Sequence, residues 1–295
     1  MARSAPIIVI TGANGFVGRH LVEYFQNKGW QVRALVRRAD RFKNNKNTTY
    51  YEYDLGQPLA DKVFQSADYL VHTAYIKEDR HHPDAMRVNV SGTQQLLAIS
   101  RKHHLKRTIF MSSMSAHENA VSGYGKQKFQ LEALFDRSQD TVIRSGLVIG
   151  NGGLIKQIIK FLSSKHLAPL IDGGDQPLQV IAVYDLVKVI DAIIAKNVSG
   201  TLTIGTPEVY SYREFYLAIA QATGIKFLIL PVPFILPLYV IRLVNALHLP
   251  LQVTEDNLWG LKKLQAFETL PDLQKLDITL DPLDVILKKP GILGR

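Results

Sequence analysis

Tyr124 and Lys128 stand four residues apart in "SGYGKQKFQLE", a stretch that reads as the start of a helix. Residues at i and i+4 share a helix face, so a phenol and an ammonium can point into one cleft. A tyrosine whose unperturbed pKa is about 10 exchanges protons poorly at neutral pH. A neighbouring ammonium favours phenolate and draws that pKa towards the working range, as a general acid–base requires. The pair alone is common by chance; its place in the chain gives it weight.

Near the N-terminus, Gly12, Gly15 and Gly18 punctuate "VITGANGFVGRH". The strand "PIIVITG" runs into this loop, and a helix from Arg19 to Lys28, stopped by Gly29, follows it. Backbone N–H groups in such a loop can approach a pyrophosphate while the helix N-terminus adds a positive dipole. Gly12 permits the turn, Gly15 the close approach and Gly18 the packing of helix on strand; Asn14, Phe16 and Val17 complete the loop. A purely structural glycine turn is the competing reading. The strand before and the helix after favour dinucleotide binding.

The elements that must hold these residues alternate. "WQVRALV", "TTYYEYDL" and "ADYLVHTAY" read as strands, "AMRVNVSGTQQLLAISRKHH" as a helix and "RTIFMSS" as a strand. Helix "YGKQKFQLEALFDRS" and strand "DTVIRSGLVIG" follow. This order predicts an α/β fold of Rossmann type, a doubly wound parallel sheet. Residues 1–150 form the expected dinucleotide-binding domain. The chain returns to it at about 177–210 through helix "DLVKVIDAIIAK" and strand "GTLTIG". Residues 151–176 and 211–295 form a smaller, mainly helical substrate-binding region.

In folds that prefer NAD, an acid near the end of the second strand bonds the ribose 2′-hydroxyl. Val36 occupies roughly that place here, followed by Arg37 and Arg38. Loss of the acid and gain of two cations favours NADP, with NAD as the alternative cofactor and a solvated basic turn as the bland reading. Asp40 falls too late to replace the acid.

The G-x-x-G-x-x-G spacing of "TGANGFVG" resembles the short-chain dehydrogenase/reductase superfamily, and most of all its extended or atypical branch, the NAD-dependent epimerase/dehydratase family. The resemblance extends over roughly residues 7 to 205. It implies that Asp54, with Leu55 beside it, lies at the adenine. It also implies that "HTAY" passes under the cofactor through Thr73, Ala74 and Tyr75, with Tyr75 where the family carries a small residue. The serine at the end of the fifth strand would hydrogen-bond the reacting oxygen; Ser113 is favoured and Ser112 is the fallback. Asn89 in "VNVSGT" would support a proton relay through water, against a plain helix-interior role. Ser113, Tyr124, Lys128 and Asn89 then form a catalytic set. Hydride would pass between nicotinamide and substrate while Tyr124 exchanges the proton and Lys128 holds the ribose. "VIRSGLVIGNGG" resembles the family's segment after the sixth strand, with Ser145 in place of proline; Asp185 is expected to cap a helix.

Composition narrows the partners. The 295 residues carry 46% hydrophobic residues, no cysteine and a net charge of +9, so thiolate metal sites and disulfides are excluded. No metal is expected: His81 and His82 lie in a polar loop with no third ligand at metal spacing. The basic residues are scattered and no nucleic-acid motif accompanies them, so nucleic acid is not expected. A cytoplasmic enzyme acting on a small molecule is the expectation, and a homodimer is compatible with it. The run Phe227–Ile241 is too short for a membrane span, which leaves peripheral membrane contact open; core packing is its plainer reading. Only eleven positions separate Ser113 from Tyr124, a short loop for a family member that covers a nucleotide sugar. That favours an oxidoreductase on a carbonyl/hydroxyl pair, and the run Phe227–Ile241, besides core packing, offers the lining of a lipophilic substrate cleft. A nucleotide-sugar epimerase, dehydratase or ketoreductase is the first alternative, and a non-catalytic dinucleotide sensor or accessory subunit the second.

Overall fold

A computed structural model describes residues 5–77, 82–246 and 254–293. Its elements are β1 (Ile7–Thr11), α1 (Phe16–Asn27), β2 (Gln31–Val36), β3 (Thr48–Glu52), β4 (Tyr69–His72), α2 (Ala85–Lys102), β5 (Arg107–Ser113), α3 (Gly123–Glu132), β6 (Thr141–Ser145), β7 (Leu147–Ile149), α4 (Gly153–Lys165) and β8 (Leu167–Ile171). They continue with β9 (Pro177–Leu178), β10 (Val180–Ala182), α5 (Val183–Ala195), β11 (Gly200–Ile204), β12 (Tyr210–Ser211), α6 (Tyr212–Thr223), β13 (Leu228–Val232), α7 (Ile235–Ala246), α8 (Glu255–Lys262), α9 (Leu270–Leu276) and α10 (Leu283–Lys288).

Seven strands form one sheet in the order β11-β6-β5-β4-β1-β2-β3. The ladders β3–β2, β2–β1, β1–β4 and β4–β5 are parallel, as the alternating pattern requires. Helices on both faces of such a sheet leave its central strands no polar side, and Ile8, Val9 and Ile10 are accordingly fully buried. Gly29, at φ +82°, takes the left-handed turn that ends α1.

The chain divides into two compact units. The first comprises residues up to Ser112, Gln127–Arg144 and Val187–Leu202. Val9, Leu35, Phe64, Leu70 and Leu96 make one core cluster in it. Leu97, Phe110, Leu131, Phe135 and Val142 make another, with the rings of Phe110 and Phe135 stacked 4.7 Å apart.

The second unit comprises Ser113–Lys126, Ser145–Leu186 and the chain from Thr203 onward. It contains three two-stranded ribbons, β7–β10 and β8–β13 parallel and β9–β12 antiparallel. Its main core joins α4, α6 and α10 through Ile155, Ile158, Leu162, Phe215, Ile219, Ile286 and Leu287. Helix α6 opens on a capping box of Ser211 and Glu214 and closes on Gly224 at φ +72°, so both ends satisfy their backbone groups locally.

Three expected elements differ. "DTVIRSGLVIG" is two strands, because at Gly146 the chain leaves the large sheet for β10. A Cβ at Gly146 would lie 2.4 Å from the Gln179 carbonyl oxygen, so the crossing admits only glycine. Strand β4 stops at His72, before the expected "TAY", for a reason given below. Helix α3 ends at Glu132, and the i→i−3 bonds that follow tighten the chain into turns.

Candidate functional site

The glycine loop joins β1 to α1 in the first unit. Gly12 has φ +63°, and a Cβ there would meet Thr73 Oγ1 at 2.8 Å and the Ala74 nitrogen at 2.9 Å. At Gly18 a Cβ would fall 2.1 Å from the Gly12 carbonyl oxygen, so the helix can lie on the loop only without a side chain. Gly15 is the N-cap of α1; no side chain caps the helix and no acid occupies its first turn. That leaves uncapped amides and a positive helix end, the donor set a pyrophosphate needs. Asn14 and Gly15 are exposed, while Phe16 and Val17 are half-buried.

Thr11 ties this loop to the end of β4. Its Oγ1 accepts from the backbone N–H of Thr73 and Ala74, both at 3.1 Å, and Thr73 Oγ1 donates to the Thr11 carbonyl at 2.6 Å. Those bonds draw Thr73 and Ala74 out of the ladder and end the strand. With both N–H groups spent on its oxygen, the Thr11 hydroxyl gives its proton to His72 Nδ1, 2.8 Å away. His72 Nε2 then donates to Thr93 Oγ1 at 3.1 Å. Burial, helped by the Lys128 charge, pushes His72 down to about 3, so the imidazole stays neutral.

At the far rim, Arg37 and Arg38 are exposed just past β2. Arg38 is engaged through Nε and Nη2 with the two carboxylate oxygens of Asp40 at 3.2 and 3.1 Å. Asp54 lies beyond β3 rather than within it, and its Oδ1 accepts the Leu55 N–H at 3.1 Å, the turn-capping role. Leu55 is buried against Gly92, where a Cβ would come within 2.6 Å of it.

Ser112 and Ser113 are adjacent in β5, so their side chains point to opposite faces. Ser112, buried in the first unit, donates to Glu132 Oε1 at 2.6 Å. Ser113, in the second unit, is hydrogen-bonded to the hydroxyl of Tyr124 in the same unit. The structure thus singles out Ser113 as the serine beside the phenol.

Helix α3 carries Tyr124 in its first turn and Lys128 one turn on. Lys128 Nζ donates to the Met111 carbonyl at 2.8 Å and lies 4.4 Å from the ring centre of Tyr75 and 4.7 Å from that of Phe110. Burial lowers its pKa from 10.5 to about 7, with the Glu132 carboxylate opposing the fall. Tyr124 behaves differently from the expectation. Desolvation pushes its phenol above the ordinary value, and the opposing influence is the Ser113 hydrogen bond. The Lys128 amine, directed to the Met111 carbonyl and the rings of Tyr75 and Phe110, is not among the groups that shift it.

Asn89 is buried and clamps one backbone unit: Oδ1 accepts the Ile76 N–H at 2.9 Å and Nδ2 donates to the Ile76 carbonyl at 2.8 Å. That fixes the segment carrying Tyr75, whose hydroxyl donates to Gln127 Oε1 at 2.7 Å. The chain of contacts runs from Asn89 to the aromatic face under Lys128.

Several functional neighbours escaped the sequence. Glu132, 1% exposed, takes Arg144 Nη2 at 2.6 Å and Nε at 3.0 Å besides Ser112, a buried ion pair one turn beyond Lys128. The quoted "SGYGKQKFQLE" ends on this glutamate, but nothing local told it from a surface residue. In the second unit Asp256 on α8 accepts the Gly123 N–H at the start of α3, and Gly260 packs on Ser122. Asp185 was expected at a helix N-cap; α5 begins at Val183 and places it inside the first turn. His82 is exposed, and His81 lies outside the described residues. Among the described residues no group of His, Cys, Asp or Glu could hold a metal ion, and no helix is long and apolar enough to cross a membrane.

Comparison with known proteins agrees with this architecture. Residues 8–205 match the model of the NAD dependent epimerase/dehydratase family. A ceramide reductase of Caulobacter vibrioides is 34% identical over 125 residues, 41% of this chain and 39% of that protein. A putative dihydroflavonol 4-reductase of Synechocystis is 34% identical over 116 residues, 38% of this chain and 34% of that protein. The chain thus matches well under half the length of these two relatives. A putative UDP-glucose 4-epimerase of Methanocaldococcus jannaschii is 26% identical over 75% of this chain and 83% of its own. Among solved structures, that of gox2253 superposes with a TM-score of 0.78 at 18% identity, covering 97% of this chain and 96% of its own, a likeness of fold. With this glycine loop opening on an uncapped helix N-terminus, and a parallel sheet matched from its first strand to its last, the chain belongs to the NAD-dependent epimerase/dehydratase family.

Proposed function

We propose that this enzyme is an NADP-dependent oxidoreductase acting on a carbonyl/hydroxyl pair, with Tyr124 as its acid–base. The supporting observation is the hydrogen bond between Ser113 and Tyr124 at the start of the helix that also carries the buried amine of Lys128. The dinucleotide, when bound, supplies or accepts hydride. Tyr124 gives the proton to the substrate oxygen, or takes it back, and Ser113 steadies that oxygen with its hydroxyl. A phenol raised by desolvation is a poor proton source at rest, and a substrate oxygen gaining negative charge is the base that would draw its proton. Lys128 holds the ribose and remains close to half-protonated near pH 7. Asn89 acts through the backbone of Ile76, and any water relay it supports must use the hydrogen-bonding capacity left beyond that clamp. Gly12, Asn14, Gly15, Phe16, Val17 and Gly18 receive the pyrophosphate, and Asp54 and Leu55 border the adenine. Thr73, Ala74 and Tyr75 pass under the cofactor, and Arg37 with Arg38 faces the 2′-phosphate.

Residues 151–176 and 211–295 are assigned to substrate recognition. Asp256 and Gly260 lie against Gly123 and Ser122, next in sequence to Tyr124, which makes α8 the part best placed to touch substrate. Two of the relatives are named for reduction, a ceramide reductase and a putative dihydroflavonol 4-reductase, which favours a lipophilic substrate. Nucleotide-sugar chemistry is the second reading, favoured by the alignment with the putative UDP-glucose 4-epimerase over three-quarters of the chain. Tyr124→Phe tests the assignment: turnover of a carbonyl substrate should fall by about 10²–10⁴-fold with cofactor affinity unchanged. Activity within a few-fold of wild type would remove Tyr124 from the role.

A further inference from the structure

The apolar run that begins at Phe227 is only partly used by the core of the second unit. Strand β13 pairs with β8 from Leu228↔Leu167 to Val232↔Ile171, yet Leu228 stays 67% exposed. On α7, Leu238 and Ile241 are buried against Leu258 of α8. Ile235, Leu236, Tyr239 and Val240 of the same helix are exposed, Leu236 by 54% and Tyr239 by 63%. At about 100° per residue these four cover an arc of about 140°, so the helix is apolar on its buried side and on its bare side. Scattered exposed leucines are ordinary; a continuous strip of large ones marks a contact surface.

The charge around the strip says what kind of contact. Residues 146–171 and 215–254 contain no aspartate or glutamate. Within them Lys156, Lys160 and Lys165 of α4 and Lys226 before β13 are exposed. The Leu228 N–H donates to the His166 carbonyl, and His166 Nδ1 lies 3.0 Å from the Lys226 carbonyl oxygen, which brings Lys226 to the lysine-bearing end of α4. The same helix exposes Leu154 and Phe161. Arg242, at the other end of the strip, is paired with Glu255 of α8. The surface is therefore greasy, with Lys226 and the lysines of α4 at one end; at the other, Asp172 accepts the Phe234 N–H and pairs with Lys262, and Glu255 pairs with Arg242.

We propose that this β13–α7 strip docks on a bilayer surface that contains anionic lipid. The bare arc of α7 lies at the boundary between headgroups and acyl chains, and the lysines of α4 with Lys226 meet lipid phosphate. Helix α7 has twelve residues, about 18 Å, far short of the ~30 Å hydrocarbon core, so it lies on the membrane and does not span it. A second copy of the chain fits the strip less well. A two-fold contact would bring a second cationic border to a strip whose own segments carry no acid to offset it. This inference gives the outer faces of α4, β13 and α7, all within the residues assigned above to substrate recognition, to the membrane; it does not depend on the chemistry at Tyr124.

Co-sedimentation of the full chain with vesicles of phosphatidylcholine, alone or mixed with phosphatidylglycerol, tests it. Binding to the mixed vesicles should be about ten-fold tighter or more, each lysine near the surface adding to the attraction. The double variant Leu236→Glu/Val240→Glu should lose about ten-fold or more of that binding while keeping the wild-type thermal midpoint. Lys156→Glu/Lys160→Glu should lose the preference for anionic lipid. If the first variant fails to fold, Tyr239→Ser gives the same readout. A chain that stays in the supernatant with both vesicles, or a folded Leu236→Glu/Val240→Glu variant that binds as wild type, would overturn the proposal. So would a dimer in lipid-free solution that this variant dissociates.

Discussion

Lys128 in the first unit has lost nearly all of its water and gained a carbonyl oxygen and two aromatic faces in return. Leu236 and Tyr239 in the second unit have kept more than half of their surface in water. The charged side chain is buried and the apolar ones are bare, the reverse of what transfer free energies favour for each alone. Both arrangements therefore point away from stability and towards use. They differ in what sustains them. The lysine pocket is held by β5, by the segment after β4 that α2 clamps through Asn89, and by α3, whereas the bare face of α7 rests on a helix anchored by its opposite side.

That contrast can be broken most forcefully at Glu132. Glu132→Ala leaves the Arg144 guanidinium and the Ser112 hydroxyl without their shared carboxylate, and it should cost about 3–5 kcal/mol of stability in urea unfolding. A loss below about 1 kcal/mol would show that the pocket is not held as the hydrogen bonds imply.

The rim of the first unit comes next. Arg37→Ala should weaken NADPH binding by about 10–100-fold, the worth of one charge-assisted bond to phosphate, and leave NADH binding nearly unchanged. Fluorescence titration of both cofactors reads the ratio. Equal losses for the two would mean that Arg37 does not face a 2′-phosphate.

Lys128 yields a smaller, pH-dependent signature. Its folded pKa of about 7 is below the ordinary 10.5. Between those values the unfolded chain holds a proton that the native chain lacks, so native stability rises with pH across that window and levels above it. Below about pH 7 both states are protonated and the fold carries the full penalty of the buried charge. Lys128→Met should remove a slope of up to about 1.4 kcal/mol per pH unit from the window. An unchanged slope in unfolding measured from pH 7 to 10 would place the titration elsewhere.

The smallest effect is expected on α7. Leu236→Glu should change stability by no more than about 0.5 kcal/mol, because the side chain gives up little packing. A loss of 2 kcal/mol or more would show the face to be part of the core.

Much of the first unit was legible as pattern. The glycines of the loop and the unbroken apolar strands carry their conformational reasons within a few residues, and the expected order of strands and helices to β6 is the observed one. Ser113 and Tyr124 were both named, yet the electrostatics assigned to them were not those of the fold. The ammonium expected to lower the phenol is turned to Met111, and Ser113 supplies the lowering instead. Asp40, set aside as too distant from the ribose, proved to hold Arg38. The second unit was least legible, because its short ribbons, β9–β12 and β8–β13, join segments too far apart for periodicity to pair.

By itself the sequence determined the strand–loop–helix with its three glycines, the parallel sheet around it and the residue types available for proton exchange. Each follows from backbone sterics and side-chain period, which act over a few residues. Only the tertiary structure decided that His72 is neutral, that Ser112 serves Glu132 while Ser113 serves Tyr124, that Lys128 titrates near neutrality and that one side of α7 is left bare. Those properties are set by desolvation and by partners brought from elsewhere in the chain, as Thr11 is to His72 across 61 positions. No local pattern encodes a distance of that kind.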